Sequence, residues 1–224
     1  MIRTRTGRRE RQVVIDVDTQ NHFFLDDNPL CIGDHQQVLA NVERILAWAW
    51  GRHIRTISTI LDAGSRADSF RVGGFSEQKP GGTLGHRRLH LEATDCTDLP
   101  VRLMEQYDQV IVYKRCFDPF AEPRAERLLT ELESDEFIVL GTLTEGAVKA
   151  TVLGLLARGK NVTVVVDATG TLSASRAGKA LRKMRAKGAR LVYTETFLRR
   201  ACKVRRLQIA ALERAVVGGD VFSC

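Results

Sequence analysis

The stretch from Gly141 to Asp167 reads GTLTEGAVKATVLGLLARGKNVTVVVD, and it constrains the fold more than any other part of the chain. An apolar run, Glu136–Gly141, leads into a short turn. A helical pattern follows over Gly146–Arg158, then a β-branched run over Val162–Val166. Strand, helix and strand joined by such short turns fit a parallel pair bridged by a covering helix. In an enzyme built this way, a nucleophile would sit at the top of that helix. The letter there is Ala147.

The same alternation extends over most of the chain. Gln12–Val17, Ile54–Leu61 and Gln109–Tyr113 are apolar, β-branched runs that predict buried strands, and Arg190–Tyr193 predicts a short sixth. Val38, Val42, Ile45, Leu46 and Ala49 recur at helical spacing between His35 and Trp50, and Gly51 ends that helix. Further helices are predicted over Ala125–Leu132, Ser173–Lys187 and 196–215. The expected fold is a three-layer α/β/α domain over 12–215, with a mostly parallel six-stranded sheet. Residues 1–11 read as a disordered basic tail. Residues 63–100 are rich in Gly and Pro, including GGF and KPGGTLG, and read as a long, largely irregular segment.

Charge and cysteine usage narrow the function classes. The net charge is +7. From Thr171 onward there are 13 Lys and Arg against 3 Asp and Glu. A basic region of that kind could meet nucleic acid. However, Ala174, Ala177, Leu181 and Met184 form an apolar stripe, with Arg176, Lys179, Arg182, Lys183, Arg185 and Lys187 on the other faces. A solvated helix face is the preferred reading. No apolar run is long enough to span a bilayer, and the N-terminus lacks the apolar stretch of a signal peptide, so a cytoplasmic location is expected. The five cysteines are widely spaced with no CxxC, which fits reduced thiols rather than a disulfide frame or a zinc site.

Sites in parallel sheets form at the C-terminal ends of the strands. Three ends carry chemistry: Asp18 with Thr19, Gln20, Asn21, His22 and Phe23; Lys114; and Gly141 to Val148. An acid, a lysine and a turn into a helix would suit acyl transfer to a nucleophile. The carboxylate would take the proton, and backbone N–H groups would stabilise an oxyanion.

In these residues the chain resembles the isochorismatase-like cysteine hydrolases, which include nicotinamidases and N-carbamoylsarcosine amidohydrolases. The resemblance covers roughly residues 12–200. The family's D-x-Q-N-D-F appears as Asp18-Thr19-Gln20-Asn21-His22-Phe23, with His22 in place of the second Asp. Its G-T-x-G appears as Gly82-Thr83-Leu84-Gly85. Its strand-end lysine is Lys114, the aromatic six residues later is Phe120, and Asp118 stands where a Ser is frequent. Its G-x-x-T-x-x-C-V-x-x-T matches Gly141, Thr144, Val148 and Thr151, with Ala147 at the cysteine.

The resemblance implies Asp18 as base, Lys114 as charge partner, and the backbone amides of Leu143 and Ala147 as oxyanion donors. Gln20, Phe23 and Phe120 would contact substrate. A methyl group cannot replace a thiolate. Two substitutes are weighed. Cys116 comes from a different strand end and reads as an idle thiol. Glu145 reads as a helix-start carboxylate. Nicotinamidases of the family hold a divalent ion after the second strand. Here Asp62 is followed by Ala63-Gly64-Ser65, and His86 and His90 lack a third ligand, so neither a metal nor a cofactor is expected.

The expected function is a hydrolase-like protein without the classical cysteine chemistry, binding a small amide or carboxylate-bearing molecule. One alternative is a surviving hydrolase of altered mechanism using Asp18 and Lys114, with Glu145 or Cys116. The other is a binding or scaffolding protein that uses its basic surface. The resemblance also implies a homo-oligomer, and no membrane or nucleic-acid partner is expected.

Overall fold

The computed structural model describes residues 11–61, the backbone of 88–91, and residues 109–202. Seven strands form one sheet: β1 (Gln12–Val17), β2 (Arg55–Leu61), β3 (Arg88–Leu91), β4 (Gln109–Lys114), β5 (Glu136–Thr142), β6 (Val162–Gly170) and β7 (Arg190–Val192). Their order is β3-β4-β2-β1-β5-β6-β7, and every neighbouring pair is parallel. The six expected strands are all present. The seventh, β3, adds to the edge from within the segment read as largely irregular. The expected tail at 1–11 and the helix end at 203–215 fall outside the described residues, apart from Arg11, while residues 194–202 are helical.

Among the described residues, helices α1 (His35–Trp50), α2 (Pro123–Glu131), α3 (Lys149–Ala157) and α4 (Ala174–Ala186) cover the sheet, together with the helical residues 194–202. Successive side chains of a strand point to opposite faces, and here both faces are apolar. Val13, Ile15 and Val17 of β1 pack with Leu128 of α2, Val152 and Leu155 of α3, and Met184 of α4. Val14 packs on the other face with Val38, Val42 and Ile45 of α1 and with Phe197. Each fully buried aliphatic side chain contributes about 1.5–3 kcal/mol. Among the described residues, no helix is long and apolar enough to cross a membrane.

The expected helix start at Gly146 is not an α-helix. Thr144–Val148 forms one π turn with Gly146 at φ −111°, ψ −107°, and α3 begins at Lys149. The chain therefore changes course at residues 144–148, where the family motif is densest.

From β1 the chain builds outward through β2 to β4, then returns to place β5 on β1's other side. The order of the sheet reverses between β1 and β5. In an open parallel sheet that reversal leaves a crevice beyond the strand ends. Asp18 follows β1, and the turn from Gly141 to Ala147 follows β5.

Candidate functional site

Asp18 begins the site. Its backbone lies in the left-handed region at φ 46°, so the chain breaks from the strand there. Its N–H remains tied to the end of β2, donating to the Thr59 carbonyl at 3.1 Å. The Thr59 hydroxyl in turn donates to Asp18 Oδ1 at 2.6 Å. On the opposite side, the Thr142 hydroxyl donates to the Asp18 carbonyl at 2.5 Å. The residue is thus held by both neighbouring strands.

Lys114 reaches the same carboxylate from two strands away. Strands lie about 4.8 Å apart, so β4 is about 10 Å from β1, and only a long side chain spans that gap. Its Nζ lies 2.7 Å from Asp18 Oδ2. The same Nζ donates to the carbonyls of Cys116 at 3.0 Å and Phe117 at 3.4 Å. An ammonium has three N–H donors, and three acceptors surround this one. Lys114 is 0% and Asp18 1% exposed. Such a buried pair is stable only when its remaining hydrogen-bonding capacity is satisfied, as it is here.

The carbonyls that hold Lys114 are braced separately. The Arg115 guanidinium donates to both oxygens of Glu122, at 3.0 and 2.9 Å, and the Arg115 backbone N–H adds a bond of 2.9 Å to Oε1. Burial alone would raise the Glu122 carboxyl, but these bonds and the positive charge hold it below its ordinary range.

The turn after β5 keeps its frame. Gly141 sits at φ +111°, and a Cβ there would lie 2.0 Å from the Val17 carbonyl oxygen, so only glycine fits. The Thr142–Leu143 peptide bond is cis. The Leu143 carbonyl accepts from the N–H groups of Gly146 at 2.9 Å and Val148 at 3.1 Å. Thr144 donates to the Gly170 carbonyl at 2.9 Å, and Thr151 to the Ala147 carbonyl at 2.8 Å. Ala147 is fully buried in the cluster that holds Val17 and Val112.

The expected site residues therefore divide. Asp18 and Lys114 are in direct contact, and Leu143 and Ala147 lie on the turn beyond the strand next to β1. Gln20 is engaged elsewhere: its amide accepts from the Leu61 N–H at 2.9 Å and donates to the Leu61 carbonyl at 3.3 Å. Phe23 is buried in the core on the α1 face. Phe120 packs where a Cβ on Gly154 would lie 2.2 Å away, with the Arg158 guanidinium 3.9 Å over its ring. Of the weighed substitutes, Glu145 accepts from the Thr171 hydroxyl at 2.6 Å. Cys116 turns its carbonyl to Lys114, while its thiol bonds the Asp118 carbonyl at 3.4 Å. Asp62 and His86 lie outside the described residues, and His90 lies on strand β3 rather than on a helix.

Two more residues bear on Asp18: Thr59, which the sequence alone does not bring to the site, and His22, which the motif does. Thr59 holds one carboxylate oxygen. The signal was available in its polarity, because a hydroxyl in a buried strand needs a partner. His22, 9% exposed, is lowered from its ordinary pKa by burial, while the negative charge of Asp18 pulls it back up. The imidazole thus stands near the carboxylate where the family motif has a second acid.

Comparison with known proteins places this geometry. The isochorismatase domain family matches residues 12–196. A sequence search of curated proteins returns no match. Among solved structures, an isochorismatase family protein from Desulfovibrio vulgaris superposes with a TM-score of 0.64 at 18% identity, covering 87% of this chain and 100% of that one. The pyrazinamidase/nicotinamidase of Streptococcus mutans gives 0.59 at 20% identity, covering 81% and 99%. The MAR1 ribonuclease of Caenorhabditis elegans gives 0.57 at 21% identity, covering 85% and 82%. At these identities the likeness is one of fold.

Proposed function

This chain belongs to the isochorismatase family, and from that premise we propose that it is a member without the covalent step. In this reading it binds a small amide or carboxylate-bearing molecule at the strand ends and releases it unchanged. The observation that carries the proposal is Ala147, a buried methyl group on the turn after β5, at the position to which the motif resemblance assigns the nucleophile.

In the family's chemistry a thiolate attacks the carbonyl carbon, and the acid moves the proton. An alanine supplies neither electrons nor a proton for that step. The acid is committed as well. Asp18 Oδ1 accepts from Thr59 and Oδ2 from Lys114, so both oxygens already hold hydrogen bonds. Asp18 and Lys114 then act as a buried pin between β1 and β4. The N–H groups of Leu143 and Ala147 are the candidate donors to a ligand's carbonyl or carboxylate oxygen.

Turnover assays with nicotinamide, pyrazinamide and N-carbamoyl amino acids test the reading, run beside binding measurements by calorimetry. The expected result is no product from the unaltered chain and gain of a trapped thioester in the Ala147→Cys variant. Robust hydrolysis by the unaltered chain, abolished in Asp18→Ala, would sink the proposal. Assembly as a homo-oligomer and a cytoplasmic location are part of the same reading, and sedimentation as a monomer would count against the former.

A further inference from the structure

A second group of chemically capable side chains lies in the connection between β1 and α1. Asp26, Cys31 and His35 each offer one ligand atom, and these atoms lie within 4.8 Å of one another. They are an oxygen, a sulfur and an imidazole nitrogen, spaced as Asp-x4-Cys-x3-His, a grouping the sequence reading did not pick out. We propose that Asp26, Cys31 and His35 form a binding site for one divalent transition-metal ion of borderline softness, with Zn2+ the best match.

Three observations support the assignment. First, the imidazole is already oriented. His35 Nδ1 lies 3.2 Å from the Ile32 carbonyl, an acceptor that suits a proton on Nδ1 and would turn Nε2 to an ion placed between it and Asp26. Metal-bound histidines are held in this way, through a second-shell bond on the other ring nitrogen. Second, Nε2 lies 3.3 Å from Asp26 Oδ1. Two ligand atoms at about 2.0–2.1 Å from a tetrahedral ion are about 3.3–3.4 Å apart, so this edge is already the right length. Third, the charges balance. A thiolate and a carboxylate neutralise the two positive charges of the ion.

Binding needs little movement. The Asp26 side chain is 82% exposed and free to swing, while that of His35 is 15% exposed and anchored in the first turn of α1. With the three ligand atoms within 4.8 Å of one another, closing the sulfur onto the ion takes a shift of at most about 1.3 Å. The Cys31 thiol gives its proton to solvent, and the sulfur lone pair, the Nε2 lone pair and one carboxylate oxygen form the three bonds. Water completes the tetrahedron. The ion would then clamp the β1–α1 connection, which also carries Gln20 and His22, onto the start of α1.

The test is titration of the reduced, tag-free full chain with CoCl2, followed by displacement with ZnCl2. The expected result is saturation at one Co2+ per chain, with a thiolate-to-cobalt charge-transfer band and the visible bands of a tetrahedral ion. Cys31→Ser should abolish the charge-transfer band, and Cys116→Ser and Cys202→Ser should leave it unchanged. Asp26→Asn, at an exposed position that the fold does not need, should weaken binding tenfold or more. Absence of a charge-transfer band, or its survival in Cys31→Ser, would overturn the site. Unchanged affinity in Asp26→Asn would do the same. A surface His–Asp contact without metal affinity predicts those negative results.

Discussion

The two halves of the candidate site are built on different terms. On the β1–β4 side two charged groups meet: a carboxylate and an ammonium lie 2.7 Å apart, the ammonium with all three donors used. On the β5 side a backbone turn carries Ala147, where the proposed reading puts the missing nucleophile. The first half is held by charge, the second by backbone shape. Neither depends on a side chain at 147, which accounts for both surviving beside an alanine. A conserved-looking site is therefore weak evidence of chemistry when each of its parts has a structural reason to persist.

The largest effect expected is on the charged half. Lys114→Ala should cost about 3–5 kcal/mol, because it strands the Asp18 carboxylate in the interior. The paired change Asp18→Leu with Lys114→Met should cost much less, since it removes both charges together. Urea unfolding of the two variants measures the contrast, and equal losses in both would show that charge is not what holds this half.

A smaller loss is expected on the backbone half. Gly141→Ala should cost about 3 kcal/mol, through positive φ and overlap with Val17. Fluorescence-detected urea melts would reveal it. A neutral result would mean that the β1–β5 approach is looser than the 2.0 Å clearance implies.

The smallest effect is electrostatic. His22 is buried and lowered in the fold, so the unfolded chain binds its proton more readily. Its contribution is complete above the unfolded value of about 6.5 and is lost as pH falls from there through the folded value. Thermal melts across that window should show stability declining with acid, and His22→Gln should flatten the decline. An unchanged slope would remove His22 from the neighbourhood that the comparison gives it.

Much of the frame was readable from letters alone. Gln12–Val17 has the same bounds in sequence and structure, because four of its six residues are β-branched and apolar and no turn residue interrupts them. Arg88–Leu91 was not readable. Four residues carry too little periodicity, and an edge strand is defined by its neighbour, here β4. The π turn was also missed, since a helix-like letter pattern does not report Gly146's dihedral angles. Asp18 and Lys114 were found through the motif. Their partner Thr59 depends on β2 lying beside β1, which is knowledge of sheet order that local sequence does not carry. The motif puts Gln20 and Phe120 among the ligand contacts, and their packing against Leu61 and against Gly154 and Arg158 is information that local sequence does not carry.

The three acceptors around the Lys114 amine have a consequence for the history of such a protein. A cation that already has every partner it can use does not call for a thiolate nearby, so exchange between cysteine and alanine at 147 leaves the fold's electrostatics undisturbed. Under the proposed reading, that one side chain is what separates a member with the covalent step from one without it.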